Sequence, residues 1–128
     1  MSACCTLLLA LFLQFLPSSI AGEWRGDLRI KSEIQDTRTP HRFTFKVDGS
    51  KLDGTIRLGK YLEFPIGDGE ITGNKVRFWQ MQMDISGAWR RSFLFEGEIR
   101  SNELILVRTN PALPNGPRPA TFTVYRTK

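Results

Sequence analysis

Arg42-Phe43-Thr44-Phe45-Lys46-Val47-Asp48-Gly49-Ser50-Lys51-Leu52-Asp53-Gly54-Thr55-Ile56-Arg57-Leu58 alternates apolar and polar side chains on both sides of Gly49-Ser50. Alternation with period two sends successive side chains to opposite faces of an extended chain, so this stretch predicts two strands joined by a tight turn. A Gly-Ser centre suits a type II′ turn, because its first position needs a positive φ. The resulting register sets Asp48 opposite Lys51, Val47 opposite Leu52, Lys46 opposite Asp53 and Phe45 opposite Gly54. Apolar residues then share one face and opposite charges meet on the other. An aromatic ring over a glycine is a device of curved sheets.

The unit recurs. Glu70–Phe78 pairs Ile71 with Val76, Glu70 with Arg77 and Gly69 with Phe78 about Gly73-Asn74. Glu98–Leu106 pairs Arg100 with Glu103, Ile99 with Leu104 and Gly97 with Leu106 about Ser101-Asn102. Flanking strands are predicted at Trp24–Ile30 and Thr121–Arg126. Eight strands in succession, with small inward glycines, predict an all-β fold: an eight-stranded antiparallel up-and-down β-barrel, lipocalin/avidin-like in form. A small β-sandwich is the alternative.

The chain has 128 residues, which is the size of one domain. Met1–Ala21 carries no charged side chain, and Thr6–Leu16 is an apolar run followed by Pro17-Ser18-Ser19-Ile20-Ala21. Small residues at Ser19 and Ala21 predict a signal peptide over 1–21 cleaved after Ala21, and a single barrel domain over 22–128. The run falls short of the ~20 apolar residues that span a bilayer, so no stable membrane insertion is expected after cleavage. Secreted or periplasmic localisation follows. Both cysteines, Cys4 and Cys5, lie in the leader, which leaves no thiol for a disulfide, a nucleophile or a metal site in the barrel. No metal site and no cofactor are expected.

Three tight turns on one side send the chain ends to that side as well, where Trp24 and Arg126 are predicted to meet and close the barrel. Gly22-Glu23-Trp24 with an arginine on the last strand resembles the Gly-x-Trp and arginine pairing of lipocalin and avidin-type (calycin) barrels. In that superfamily the pair seals the bottom, and ligands enter at the opposite mouth. Gly22–Trp24, Phe43–Thr55, Pro65–Gly73 and Phe122–Arg126 together more closely resemble small exported bacterial β-barrel proteins of unknown function, a likeness that implies export and a barrel but no activity.

The longer connections, Lys31–His41, Gly59–Gly67, Ile85–Gly87 and Thr109–Pro119, gather at the open end. The last contains four prolines and reads as a stiff loop. Approaching this end, the inward phase turns polar on three strands: Gln80, Gln82 and Asp84; Arg91 and Trp89; Arg108. A turn at Ile85-Ser86-Gly87 would set Gln80 beside Arg91 and Gln82 beside Trp89. Gln80, Gln82, Trp89, Arg91 and Arg108 thus form the candidate ligand-binding set for a small molecule or glycan fragment, with two guanidinium groups over an apolar floor. The competing reading is that strand ends are simply solvated, with Arg91 paired to Asp84.

On the opposite phase Trp79, Met81 and Met83 point outward, next to Leu94, Ile105 and Val107. Such a patch marks an interface for self-association or for docking on an envelope component. A β-bulge between Phe78 and Met81 is the alternative; it would bury Met81 and Met83 and withdraw Gln80 and Gln82 from the lumen.

Catalytic readings are weak. His41 is expected in a rim loop beside Pro40, with no Ser or Cys motif near it. A hydrolase built on Asp68, Glu70 or Asp84 lacks a supporting motif, and Gly67-Asp68-Gly69 reads as a bend or bulge. The formal net charge of +5 invites polyanion partners, yet the bases interleave with acids and form no run of four, so nucleic acid is not expected as a partner.

Overall fold

In a computed structural model, the described residues are 20–31, 33–111 and 119–127. They form eight strands: β1 (Gly22–Lys31), β2 (Asp36–Asp48), β3 (Lys51–Leu58), β4 (Leu62–Thr72), β5 (Lys75–Met83), β6 (Trp89–Arg100), β7 (Glu103–Thr109) and β8 (Ala120–Arg126). Each is antiparallel to the next, and β8 returns to β1, so the sheet is a closed up-and-down barrel. The sandwich alternative is thereby overturned: closure leaves no second sheet.

The hairpin registers follow from the side-chain pattern. Phe45 faces Gly54, Val47 faces Leu52 and Asp48 faces Lys51. Ile71 faces Val76 and Glu70 faces Arg77. Ile99 faces Leu104 and Gly97 faces Leu106. Gly69 does not pair with Phe78, because β4 is irregular between Gly67 and Glu70, where Asp68 takes a positive φ of 48°. Each of the three tight turns is stitched to the strand that follows its hairpin. Ile71 N–H donates to Ser50 O at 2.9 Å, Ile99 N–H to Asn74 O at 2.7 Å, and Arg126 N–H to Asn102 O at 3.0 Å.

Two connections at the other end are shorter than the sequence suggested. β2 begins at Asp36 and β4 at Leu62. Pro40 lies inside β2 opposite Asp27, and Pro65 inside β4 opposite Thr55; proline is tolerated in a strand where its missing N–H is not needed for the ladder. His41 is consequently a strand residue facing the lumen, not a loop residue. It is 2% exposed.

The lumen is filled by aromatic rings from the tight end upward. Phe43 stacks on Phe45 with centroids 5.7 Å apart, and Phe78 on Phe95 at 5.1 Å. Phe43 meets Phe78 and Phe95 edge-on at 5.7 and 5.6 Å. Offset and edge-to-face pairs are the favoured arrangements for such rings. Narrow passage of neighbouring strands requires glycine at Gly26, where a Cβ would stand 2.3 Å from Thr123 O at the β1–β8 seam.

At the tight end the structure brings Trp24 and Arg126 together: they are register partners, and the guanidinium carbon lies 4.5 Å from the ring centroid. Trp24 is fully buried, and so is Ile20. Trp24 Nε1 donates to Ile20 O at 2.9 Å, and Arg126 Nη1 donates to Ala21 O at 2.9 Å. Residues 1–19 of the expected leader, with Cys4 and Cys5, lie outside the described residues. Its last two residues are packed as part of the barrel bottom.

Candidate functional site at the open end

The polar end of the lumen is set by one irregularity. Gln80 pairs with Phe93, but the next residue, Met81, pairs with Arg91, which leaves Ser92 as an extra residue on β6. A β-bulge of this kind adds a residue to one strand and reverses its facing beyond that point. The bulge therefore sits on β6, not between Phe78 and Met81 on β5. Gln80 keeps its inward place, while Arg91 and Trp89 pass to the outer phase.

The expected set is thus divided. Gln80 is 2% exposed. Gln82 is exposed, pairs with Arg90 and accepts from Ser92 Oγ at 3.3 Å. The expected pairings of Gln80 with Arg91 and Gln82 with Trp89 are replaced. Trp89 stands opposite Met83 and is 53% exposed. Arg91 lies outside, 5.2 Å above the Trp79 ring, and donates to Asp68 Oδ2 through Nε and Nη2 at 3.0 and 2.6 Å. Its carboxylate partner is therefore Asp68, not Asp84.

Arg108 remains on the lumen side opposite Phe95, with its guanidinium carbon 4.3 Å from the Phe93 ring centroid. It makes no ion pair with a carboxylate among the described residues. Burial lowers its pKa from the ordinary arginine range, so the site holds a half-buried cation with no counter-ion among the described residues.

His41 was missed as a lumen residue. Its ring lies 5.2 Å from Phe122 and 5.8 Å from Phe43. Nδ1 is 2.8 Å from Thr39 O; since a carbonyl only accepts, Nδ1 carries the proton and Nε2 is a bare acceptor. Burial pushes the imidazole pKa down, and the positive charge of Arg108 acts in the same direction. His41 is therefore neutral at pH 7. Nε2 of His41 and Oε1 of Gln80 are buried and lack a hydrogen-bond partner among the described residues. Leaving a buried acceptor unmatched costs roughly 1–3 kcal/mol, so each calls for a donor. The signal in the sequence was the phase of β2: His41 is in step with Phe43 and Phe45.

A groove of about 330 Å³ opens at the rim, lined by Gln82, Met83, Asp84, Arg90, Arg91, Ser92 and Asn110. Asp84 shapes the hairpin beside it: its carboxylate accepts from Ser86 N at 2.9 Å, Ser86 Oγ at 2.5 Å and Ala88 N at 3.0 Å and pairs with Arg90. The Ser86 hydroxyl, Arg90 and the Ala88 amide hold its pKa far below the usual carboxylate range. Asp68 is bound to Arg91, and Glu70 stands 3.8 Å from Arg77. The three carboxylates considered for hydrolysis each have a cationic partner on the outer wall or rim.

On the outer face, Trp79 is half-buried beneath Arg91, and Met81 packs on Gly67, where a Cβ would lie 2.5 Å from Sδ. Leu94, opposite Trp79, is 7% exposed but stands outside the main core cluster. Only Met83 of the three expected interface residues is strongly exposed, at 51%. No group of acidic, histidine or cysteine side chains with metal-holding geometry occurs among the described residues. In comparisons with family models, curated proteins and solved structures, no match to the chain was found.

Proposed function

We propose that this chain is an exported, lipocalin-like barrel that binds a small anionic amphiphile at its open end. The reading rests on one observation: Arg108 presents a half-buried guanidinium on the face of Phe93 with no carboxylate among the described residues. A cation held in that way is stabilised by an incoming carboxylate or phosphate far more than a solvated one, because charge-assisted hydrogen bonds strengthen as water is removed. His41 Nε2 and Gln80 Oε1, both acceptors, suit a hydroxyl or amide donor on the same ligand. The Trp24–Arg126 closure and the leader support the likeness to calycin barrels and to small exported bacterial proteins. An acidic glycan fragment satisfies the same polar groups but gains less from the Phe93 wall.

Calorimetric titration with dodecanoate tests this. Binding is expected in the parent, with about a ten-fold or greater loss in Arg108→Gln, equivalent to one charge-assisted contact. Equal affinity of the two proteins, or no heat in either, would contradict it.

A further inference from the structure

The large apolar side chains that the barrel leaves in water are not scattered. Ile34 is 93% exposed, Tyr61 92%, Leu62 57%, Met83 51%, Ile85 108% and Trp89 53%. All six lie on the β1–β2, β3–β4 and β5–β6 connections or the strand ends beside them, at the open end. At the tight end Tyr125 is the one comparable case among the described residues. Three separate loops thus present apolar tips on one side of the molecule. Scattered surface apolars need no explanation, but a shared rim of this kind marks an interaction surface.

The charges of the same rim indicate the partner. Lys31 and Lys60 stand there without an ion pair among the described residues, Arg38 shares the field of Asp36, and Arg29 is paired with Asp36 and Arg90 with Asp84. Against them, Glu33 and Glu63 are the rim acids outside these pairs. Among the described residues the rim carries an excess of one positive charge, around apolar tips that include a tryptophan and a tyrosine, the two side chains that sit best at a membrane–water boundary. The outer wall below the rim carries Arg25, Asp27, Lys46 and Asp53, which is unlike the apolar band of a spanning barrel.

From this placement we propose that the open rim docks reversibly on an anionic lipid surface, with Ile34, Tyr61, Ile85 and Trp89 entering the headgroup region and the lysines and Arg38 held by lipid phosphate. The inference rests on the rim alone and goes beyond ligand binding in the lumen.

Co-sedimentation with vesicles of phosphatidylcholine, with and without phosphatidylglycerol, tests it. The parent is expected to bind the anionic vesicles and to release them as salt rises. Ile34→Ser/Ile85→Ser is expected to bind about ten-fold more weakly, and Tyr125→Ser at the opposite end as well as the parent. Brominated lipid is expected to quench tryptophan emission in the parent and not in Trp89→Phe. Failure to bind anionic vesicles, equal binding by the double variant, or equal loss in Tyr125→Ser would overturn the proposal. So would dimerisation abolished by the double substitution, which would make a second copy the occupant of the rim.

Discussion

Burial holds His41 neutral, and the neighbouring Arg108 guanidinium opposes its protonation further. The sign of the resulting pH dependence follows directly. A histidine whose pKa is lowered in the folded state binds fewer protons there than in the unfolded chain. Its contribution is complete above the unfolded value near 6.5 and is lost as pH falls toward the depressed folded value. His41 is the one histidine of the chain, so little else titrates between pH 7 and 5. Stability is expected to fall over that interval with a slope of at most about 1.4 kcal/mol per pH unit. In His41→Phe, whose ring suits the surrounding aromatic cluster, urea midpoints should be nearly flat across the same range. A parent with no slope, or a variant with the same slope, would refute the assignment. At this scale the sequence was only half legible. Trp24 and Arg126 could be joined by topology, and Arg108 placed by phase. His41 could not, because Pro40 beside it suggested a loop, and only the long β1–β2 ladder shows that a proline is accommodated there.

Hairpins were the most legible elements, since each turn pair is fixed by local chemistry and each face by alternation. Gly49 and Gly73 have φ of 62° and 61°, while Ser101, at the equivalent place, has φ of 57°. A side chain in that region costs about 1–2 kcal/mol, offset in part by the greater unfolded-state freedom of glycine. Ser101→Gly should raise stability by about 1 kcal/mol and the melting temperature by a few degrees; a lower melting temperature would show that the serine is not strained. Bulges were less legible. The bend at Gly67-Asp68-Gly69 announced itself by its glycines. The one at Ser92 did not, because no glycine or proline marks it and the flanking Arg91 and Phe93 read as ordinary alternation. That one residue decided which of Arg91 and Gln80 faces the lumen.

For the whole molecule, both ends of the uncleaved chain meet at the bottom of the barrel. Ile20 is buried beneath Trp24, and the carbonyls of Ile20 and Ala21 accept from Trp24 and Arg126. A protein beginning at Ile20 should therefore be more stable than one beginning at Gly22, by roughly 1.5–3 kcal/mol for one buried isoleucine. Equal urea midpoints would mean that Ile20 adds nothing to the core. The general architecture was legible because all eight strands obey one alternation, and closure is how such a meander avoids exposed edges. What alternation does not encode is the exposure of loop tips. The three connections could be gathered at one end from the strand order, but the exposure of Ile34, Tyr61, Ile85 and Trp89 on them is seen only in the folded chain.

In the proposed function a ligand enters at that end and meets Arg108. Nitrogen–proton NMR spectra recorded during a dodecanoate titration address it most directly. Shifts are expected to concentrate at the Arg108 side-chain Nε–H, the His41 ring and the Phe93 and Gln80 amides, with Trp24 and Arg126 unmoved. Shifts centred on the tight end, or none at saturating dodecanoate, would contradict it.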